Sequence, residues 1–508
     1  MSGSRRSNTT IPLVEFHTWD ARRIKTYERQ AGRPPSSGVT AISASKSILS
    51  PSGQWSVTME GPRVSAGDAR GGAWSDAVKQ GDWATVDVDK NGHQTCLTIG
   101  MVDDVSVTLA PGGTGAGTTG VLISGRDGAA VLEDTPVYFN PADPVADNIS
   151  GRDMIDVLGA PAGTPDCLVV ALMKGLTGGL PSVRNLGGLW EIPPTLVGES
   201  VEFWHQLMDW ETGVGTLKGL VDNPGLFEPG DANLWTLADT WRNPVLNEMF
   251  VVHSRDPRVR KLYLVMRERP FPNLTDPDGG PWFNLPTRVV DWRTTTGVSV
   301  AVGRNRVNHV TLTGTQATAL AGDANMIYIP TAHLDDVRRF GLHRLVEETV
   351  YIDGDYGNVG FGLEYKGWLD LVVCWNALNH RQWAGSINIG ELRPDIQIGE
   401  RVRFVGPTPA GYTGFPEKDG VRGEYSLTFY VEGVSHSMID GPTPECSTTL
   451  SVSRGYPDVA LLSDLAAKVA GFSNLALAGS SGGDPQPPDD VIEWGEAAIT
   501  YAVEGEPT

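Results

Sequence analysis

The sequence predicts a mainly β protein with an α+β middle region, laid out as two small β-barrels with helical insertions. Three observations carry this. Glycine (61) and proline (35) are frequent enough across 508 residues to demand many tight turns without reaching the low-complexity range. Short runs alternate apolar and polar residues, the period-2 signature of a half-buried strand, first from residue 39 to about 140 and again from 285 to 456. Between them, Leu234, Trp235, Leu237, Ala238 and Trp241 recur at three-and-four spacing, which makes one apolar face on a helix.

In chain order, residues 1–38 read as an arm with a short apolar run, Ile11–Phe16, placed to pack on the first barrel or on a neighbour. Residues 39–145 form the first barrel. Trp55, Val57 and Met59 alternate; Trp74–Lys79 is a short helix; Gly81-Asp82 turns into the strand Trp83–Val88. Asp89-Lys90-Asn91-Gly92 is a hairpin turn, since Asn-Gly supplies the positive φ angles of a type I′ turn. Strands return at Thr95–Met101, Asp104–Leu109 and Gly120–Ser124.

Residues 146–284 form the middle region, with helical stretches at Met154–Leu158 and Ser200–Trp210 and the helix over 234–241. Asn243-Pro244 ends that helix, because a residue before proline is pushed out of the helical region. A second short helix is expected to carry Leu246, Met249 and Phe250, followed by a strand through Lys261–Val265 that stops at Arg269-Pro270-Phe271-Pro272. The second barrel spans 285–456, with 330–365 inserted; Asp335–Thr349 reads as helix or loop. A strand begins at Asn308. The segment from Gly367 supplies a buried strand, a polar loop and two further strands, one of them at Ile396–Glu400, and the final pair runs through Glu424–Ile439 and Cys446–Tyr456. Residues 457–508 are an amphipathic helix, a linker and an acidic tail.

Forty Lys and Arg against 61 Asp and Glu give a net charge of −21, which repels nucleic acid and anionic lipid. Residues 1–34 carry seven bases and three acids, so the arm is a candidate contact to another subunit. No run of 18 apolar residues and no N-terminal apolar signal core is present, so no membrane span is expected and synthesis in a cytoplasm is. The four cysteines lie far apart with no CxxC pair, and are read as small buried hydrophobes. Gly115–Gly120 matches G-x-G-x-x-G but leads into the strand Val121–Ile123, not the helix that phosphate binding requires. Asp87–Gly92 opens like an EF-hand loop, yet Thr98 stands where the bidentate acid is needed. Gly479–Gly483 fits G-x-S-x-G within a linker. No catalytic, cofactor or metal-ligating set is assigned, and no cofactor is expected.

The order of a Trp-bearing helix, "NPVLNEMF", a strand and "RERPFP" resembles the baseplate hub proteins of phage tails and contractile injection systems. "GDWATVDV", "GMVDDVSVTL", "VGRNRVNHVTLTG" and the closing strands that end in Arg-Gly look like the same family's barrels. The family-signature positions are Trp241, Asn243, Pro244, Leu246, Asn247, Glu248, Phe250, Arg269, Pro270, Phe271, Asn308, Arg454 and Gly455. The resemblance implies tube-forming barrels and a structural hub, not an enzyme: a homotrimer whose two barrels per chain adapt a sixfold tail tube to a threefold central spike. It also implies residence in a virion tail. Expected partners are the tail tube protein, the central spike protein and neighbouring baseplate proteins, with DNA or an effector passing without specific binding. The fifteen tryptophans leave a cell-wall-binding or cell-wall-degrading tail enzyme as the alternative. Net charge implies barrel inner faces lined by acidic and small polar residues, with Arg393 and Arg401 turned toward neighbouring subunits.

Overall fold

The computed structural model describes residues 10–18, 23–24, 39–60, 74–90, 92–110 and 118–134, most of 233–256, 262–272, 282–302 and 309–314, and 331–332. It also describes most of 338–349, parts of 372–376, and 382–407, 424–439 and 444–457. The helices expected at 154–158, 200–210 and 457–475, most of the helix at 234–241, Cys167, Cys374 and the acidic tail lie outside these residues.

The early strands are β1 (Thr10–His17), β2 (Arg23–Ile24), β3 (Val39–Ser47), β4 (Gln54–Glu60), β5 (Trp83–Lys90), β6 (His93–Ala110) and β7 (Thr118–Asp127). Helix α1 (Trp74–Ala77) precedes β5 and α2 (Ala130–Asp134) follows β7. A separate hairpin comprises β8 (Asn247–His253) and β9 (Leu262–Glu268). The later strands are β10 (Thr287–Asp291), β11 (Thr295–Val302), β12 (His309–Gly314), β13 (Thr331–Ala332), β14 (Arg344–Thr349), β15 (Trp383–Ile389), β16 (Arg401–Pro407), β17 (Glu424–Ile439) and β18 (Glu445–Pro457). Thirteen of them join one sheet, ordered β11-β15-β18-β17-β3-β4-β7-β6-β5-β1-β2, with β16 on β17 and β10 on β16.

The sheet repeats one order of neighbours, with one difference between the halves: β1 runs antiparallel to β5, whereas β10 runs parallel to β16. In the first half β3-β4-β7-β6-β5-β1 are neighbours in that order; in the second, β11-β15-β18-β17-β16-β10 are. Numbered along the chain within each half, both read 2-3-6-5-4-1. Two register shifts fall at matching places, while those at Val86/Asp87, Trp383/Gly385 and Thr428/Tyr430 have no counterpart in the other half. A register shift lies at Val39/Ala41 in β3·β4 and at Thr295/Gly297 in β11·β15. Another lies at Val102/Asp104 in β6·β7 and at Val431/Gly433 in β17·β18. Before the fourth strand of each half, a glycine at positive φ (Gly81, Gly399) makes a tight turn. Gly81 N–H donates to Val102 O while Val102 N–H donates to Asp82 O; Gly399, Val431 and Glu400 repeat the exchange. The acid caps the same turn in both: Asp82 accepts from Lys79 N–H at 2.7 Å and Glu400 from Gln397 N–H at 3.2 Å.

Each half wraps its own core. Phe16, Ile42, Trp55, Val57, Met59, Val86, Ile123 and Met438 pack in the first; Ile387, Ile389, Val402, Phe404, Leu427, Phe429, Val431, Leu450 and Phe250 pack in the second. The halves are stitched by seven antiparallel pairs between β3 and the C-terminal part of β17, from Gly433↔Ser47 to Ile439↔Ala41. The arm belongs to the first half, with β1 paired along β5.

Several expectations are corrected. Residues 247–253, expected as a helix carrying Met249 and Phe250, are strand β8: their burial (Asn247, Glu248, Met249, Phe250 and Val251 all buried) is continuous, which fits a strand covered on both faces as well as a helix. Val372, Trp375 and Asn376 are helical where a strand was expected, and Asn376 Nδ2 donates to Val372 O four residues back. Ile396–Glu400 is a turn holding two buried isoleucines, not a strand. Residues 344–349 of the insertion are strand β14, which pairs in parallel with β12; together with β13 they form their own small sheet outside the second half. Alternation fixes that 309–314 is a strand but carries no information about its partner.

Candidate functional site

The two faces of the large sheet differ in kind. Because directly paired residues share a face, register lets rows be followed across strands. One row runs Val105, Ile123, Val57, Ile42, Met438, Cys446, and lies on the core side. The next, on the other face, runs Asp104, Ser124, Ser56, Ser43, Ser437, Ser447. A third runs Arg126, Gln54, Ser45, Ser435, Thr449, Asn388, and a fourth Ser47, Gly433, Ser451, Ser386, Ser299. This face is therefore rich in small hydroxyl side chains across both halves and through the seam, with Leu122 and Ile439 exposed in the adjoining row. Hydroxyls partner one another here: Ser43 and Ser56 are 2.8 Å apart, and Thr449 donates to Asn388 Oδ1 at 3.0 Å.

Charge on this face is sparse. Arg126 is neutralised by Asp103 and Asp134, which hold its guanidinium in the charged form through hydrogen bonds. Asp104 and Glu445 stand exposed near the strand ends. The face is thus nearly neutral and rich in small polar side chains. Arg393 and Arg401, expected to face neighbouring subunits, are engaged within the chain. Arg393 pairs with Asp395 at 2.8 Å, and Arg401 donates to Leu285 O and sits 5.6 Å from the Trp282 ring centroid.

Most described signature residues converge behind the second half. The buried Glu248 carboxylate accepts from Arg267 Nε at 2.7 Å and from the Tyr430 hydroxyl, while Arg267 also donates to Gly399 O and lies 5.2 Å from the Phe250 ring centroid. Burial raises the Tyr430 hydroxyl above its ordinary range, and the neighbouring Glu248 charge adds to that. Arg454, at φ 52, donates to Pro270 O at 2.6 Å and stacks 4.1 Å from Phe271 and 4.5 Å from Tyr430. Phe271 stacks in turn on Trp375, and Arg269 donates to Pro244 O. Leu246 and Asn247 are buried. A Cβ on Gly455 would come within 2.4 Å of Phe429. Trp241, Asn243 and Asn308 lie outside the described residues. The cluster clamps the β8–β9 hairpin on the sheet.

A second polar seam ties that hairpin to both halves. Cys96 N–H donates to Arg255 O, Arg255 pairs with Glu400, and His253 Nε2 stands 3.2 Å from Cys96 O. Burial lowers the His253 pKa to about 4, partly offset by that carbonyl. Among the described residues no group of three His, Cys, Asp or Glu is placed to hold a metal, and no helix is long and apolar enough to cross a membrane.

The hydroxyl face and the sheet edges were not singled out from the sequence. Their signal was present as Ser43-x-Ser45-x-Ser47, Ser435-x-Ser437 and Ser447-x-Thr449-x-Ser451, but it becomes a surface only once register aligns the strands.

No family model and no curated protein matches this chain. Among solved structures it is similar to a tail protein from Neisseria meningitidis (13% identity, 87% of this chain and 96% of that one, TM-score 0.41). It is also similar to a prophage tail protein from Shewanella oneidensis (13%, 87% and 98%, 0.39). A type VI secretion system component of E. coli gives 7% identity over 83% and 76% with a TM-score of 0.35. Likenesses at this level leave the assignment to the chain's own residues and geometry.

Proposed function

We propose that this chain is a structural baseplate hub of a tail or injection machine, a homotrimer whose hydroxyl face lines a channel between the tail tube and the central spike. The observation that carries this is the repeated 2-3-6-5-4-1 wiring in one continuous sheet with one packed face and one hydroxyl-rich face. A tube wall needs such a sheet: apolar on the side that builds the subunit, and wettable but non-adhesive on the side that cargo passes. Two like halves let three chains present six like faces to a sixfold tube while keeping threefold symmetry for a spike. Hydroxyls exchange hydrogen bonds with water readily and hold no counterions, so DNA or a protein effector would slide past without a charged anchor. Tube, spike and neighbouring baseplate proteins are the partners of this reading, and a virion tail is its location.

The test is native mass measurement with electron microscopy of purified protein, combined with thiol labelling of Ser437→Cys. A trimer with six lobes and a lumen is expected, with Ser437→Cys reached by a small maleimide but not by the same group on a bead wider than the lumen. A monomer, a lumen-free particle, or a cysteine open to the bead overturns the reading. Hydrolysis of peptidoglycan by the purified protein would replace it with the cell-wall enzyme.

A further inference from the structure

We infer that the open edge of β11 pairs antiparallel with the C-terminal half of β6 in a second copy of this chain, in the register that β3 and β17 use within one chain. The number of copies that close the ring rests on the hub reading; the strand pairing rests on the repeat.

In the repeat, β17 corresponds to β6 and β3 to β11. The N-terminal part of β17, to Tyr430, is paired with β16; its C-terminal part, Gly433–Ile439, takes β3 as neighbour on that same side. Strand β6 is built alike. Its N-terminal part, to Met101, is paired with β5, and the turn at Gly81-Asp82 covers Val102. From Asp104 to Ala110 its pairing is with β7, and among the described residues no strand occupies the other side. Strand β11 is likewise the end of the sheet order, paired with β15 on one side. One chain therefore carries both half-sites of the contact it has already made once internally, one on each half of the sheet. Such a self-complementary but non-identical pair of edges gives head-to-tail association.

The matching irregularities set the register. Gly433 and Asp104 are the residues just past equivalent shifts, as are Ala41 and Gly297. Inside the chain Ser437 pairs with Ser43 and His436 with Ala44. Carried to the edges residue by residue, these become Thr108 with Ser299 and Val107 with Val300; Val105 then meets Val302, and Leu109 meets Val298.

An independent observation fits that register. Val107 is 47% exposed, Val298 36% and Val302 46%, so three of the chain's exposed large hydrophobics sit on these two edges. Their counterparts at the internal seam are covered: Ile42, equivalent to Val298, is 2% exposed, His436, equivalent to Val107, is buried, and Lys46, equivalent to Val302, is half-buried and paired with Asp127. No charged residue occurs in 105–110 or 295–302, so nothing on either edge repels a partner strand, although lone edges are usually guarded by charge. On the other face Ser106 and Thr108 meet Ala301 and Ser299, which continues the small-residue paving from one chain to the next.

The experiment is oxidative cross-linking of the full chain carrying Val107→Cys and Val300→Cys, alongside each single variant to account for the native cysteines and native mass measurement of the unmodified protein. Directly opposed strand residues reach disulfide geometry, whereas a pair displaced along the strand does not. A reducible ladder ending at the ring's own copy number is expected, with Val105→Cys/Val300→Cys left unlinked. Ser106→Cys/Ala301→Cys reads the same register from the hydroxyl face if the first pair disturbs folding. A ring that forms but links only in the displaced pair, or in neither, overturns the inference and leaves the hub reading standing. Cross-linking into an open filament upholds the strand pairing and removes the ring. A chain that stays monomeric overturns both.

Discussion

The two halves of the sheet share a wiring plan, yet they are held differently. In the second half the turn acid Glu400 reaches beyond its own turn to Arg255 and Arg288, and Gly399 O receives the buried Arg267. In the first half Asp82 caps its turn, and among the described residues no side chain packs where a Cβ on Gly81 would point, whereas a Cβ on Gly399 would lie 2.2 Å from Phe250. The second half has become the platform on which the β8–β9 hairpin is clamped; the first keeps the plainer form and an open edge.

The sharpest way to break this contrast is Arg267→Ala. It strands the Glu248 carboxylate in a buried site, and removing one member of a buried pair costs about 3–5 kcal/mol. Urea unfolding should show that loss, while replacing both members with Leu and Met should restore much of it; an unchanged midpoint for the single variant would mean the clamp is not what holds the hairpin. Next come the paired glycines. Gly81→Ala carries only the cost of a side chain at positive φ, about 1 kcal/mol. Gly399→Ala adds overpacking against Phe250 and should lose roughly 1–3 kcal/mol more. Equal losses in thermal melts would erase the asymmetry between the halves.

The last effect appears only as pH falls. His436, at the internal seam, occupies the position held by Val107 at the free edge. Burial, with the nearby His253 adding to it, lowers its pKa from 6.5 to about 3. Above pH 6.5 native and unfolded chains are both neutral at this residue, so it contributes nothing. Below that, the unfolded chain takes up a proton that the native chain refuses, and stability falls by roughly 1.4 kcal/mol per pH unit until about pH 3. His436→Val should flatten the loss between pH 6 and 4, as measured by urea midpoints, with Thr448 Oγ1 still accepting from Arg393 N–H. An acid limb as steep as before would place the titration elsewhere.

Much of the strand content was legible because alternation and turn chemistry are local. Asp89–Gly92 is the hairpin it reads as, with Lys90 paired to His93 and Gly92 at φ 88. Trp55, Trp74, Trp83 and Trp235 are buried as their segments imply. What failed was non-local. Nothing in His309–Gly314 says that β14 is its partner. Phe250 sits in a strand that packs against Gly399 and the core of the second half, all far along the chain. The repeat escaped notice because its two copies agree in bulges, a positive-φ glycine and a turn acid, while side chains at equivalent positions differ as widely as Trp83 and Arg401.

The seam between β3 and β17 bears on how fast rings of such chains could assemble. Because it is tethered, its strands meet at an effective concentration set by the chain itself and independent of how much protein a cell makes. In a closed ring of these subunits every second contact would already be in place before any collision. Closure from three bodies in place of six would then have a far weaker concentration dependence, and would leave fewer partly built arcs with exposed valine edges to aggregate on the way.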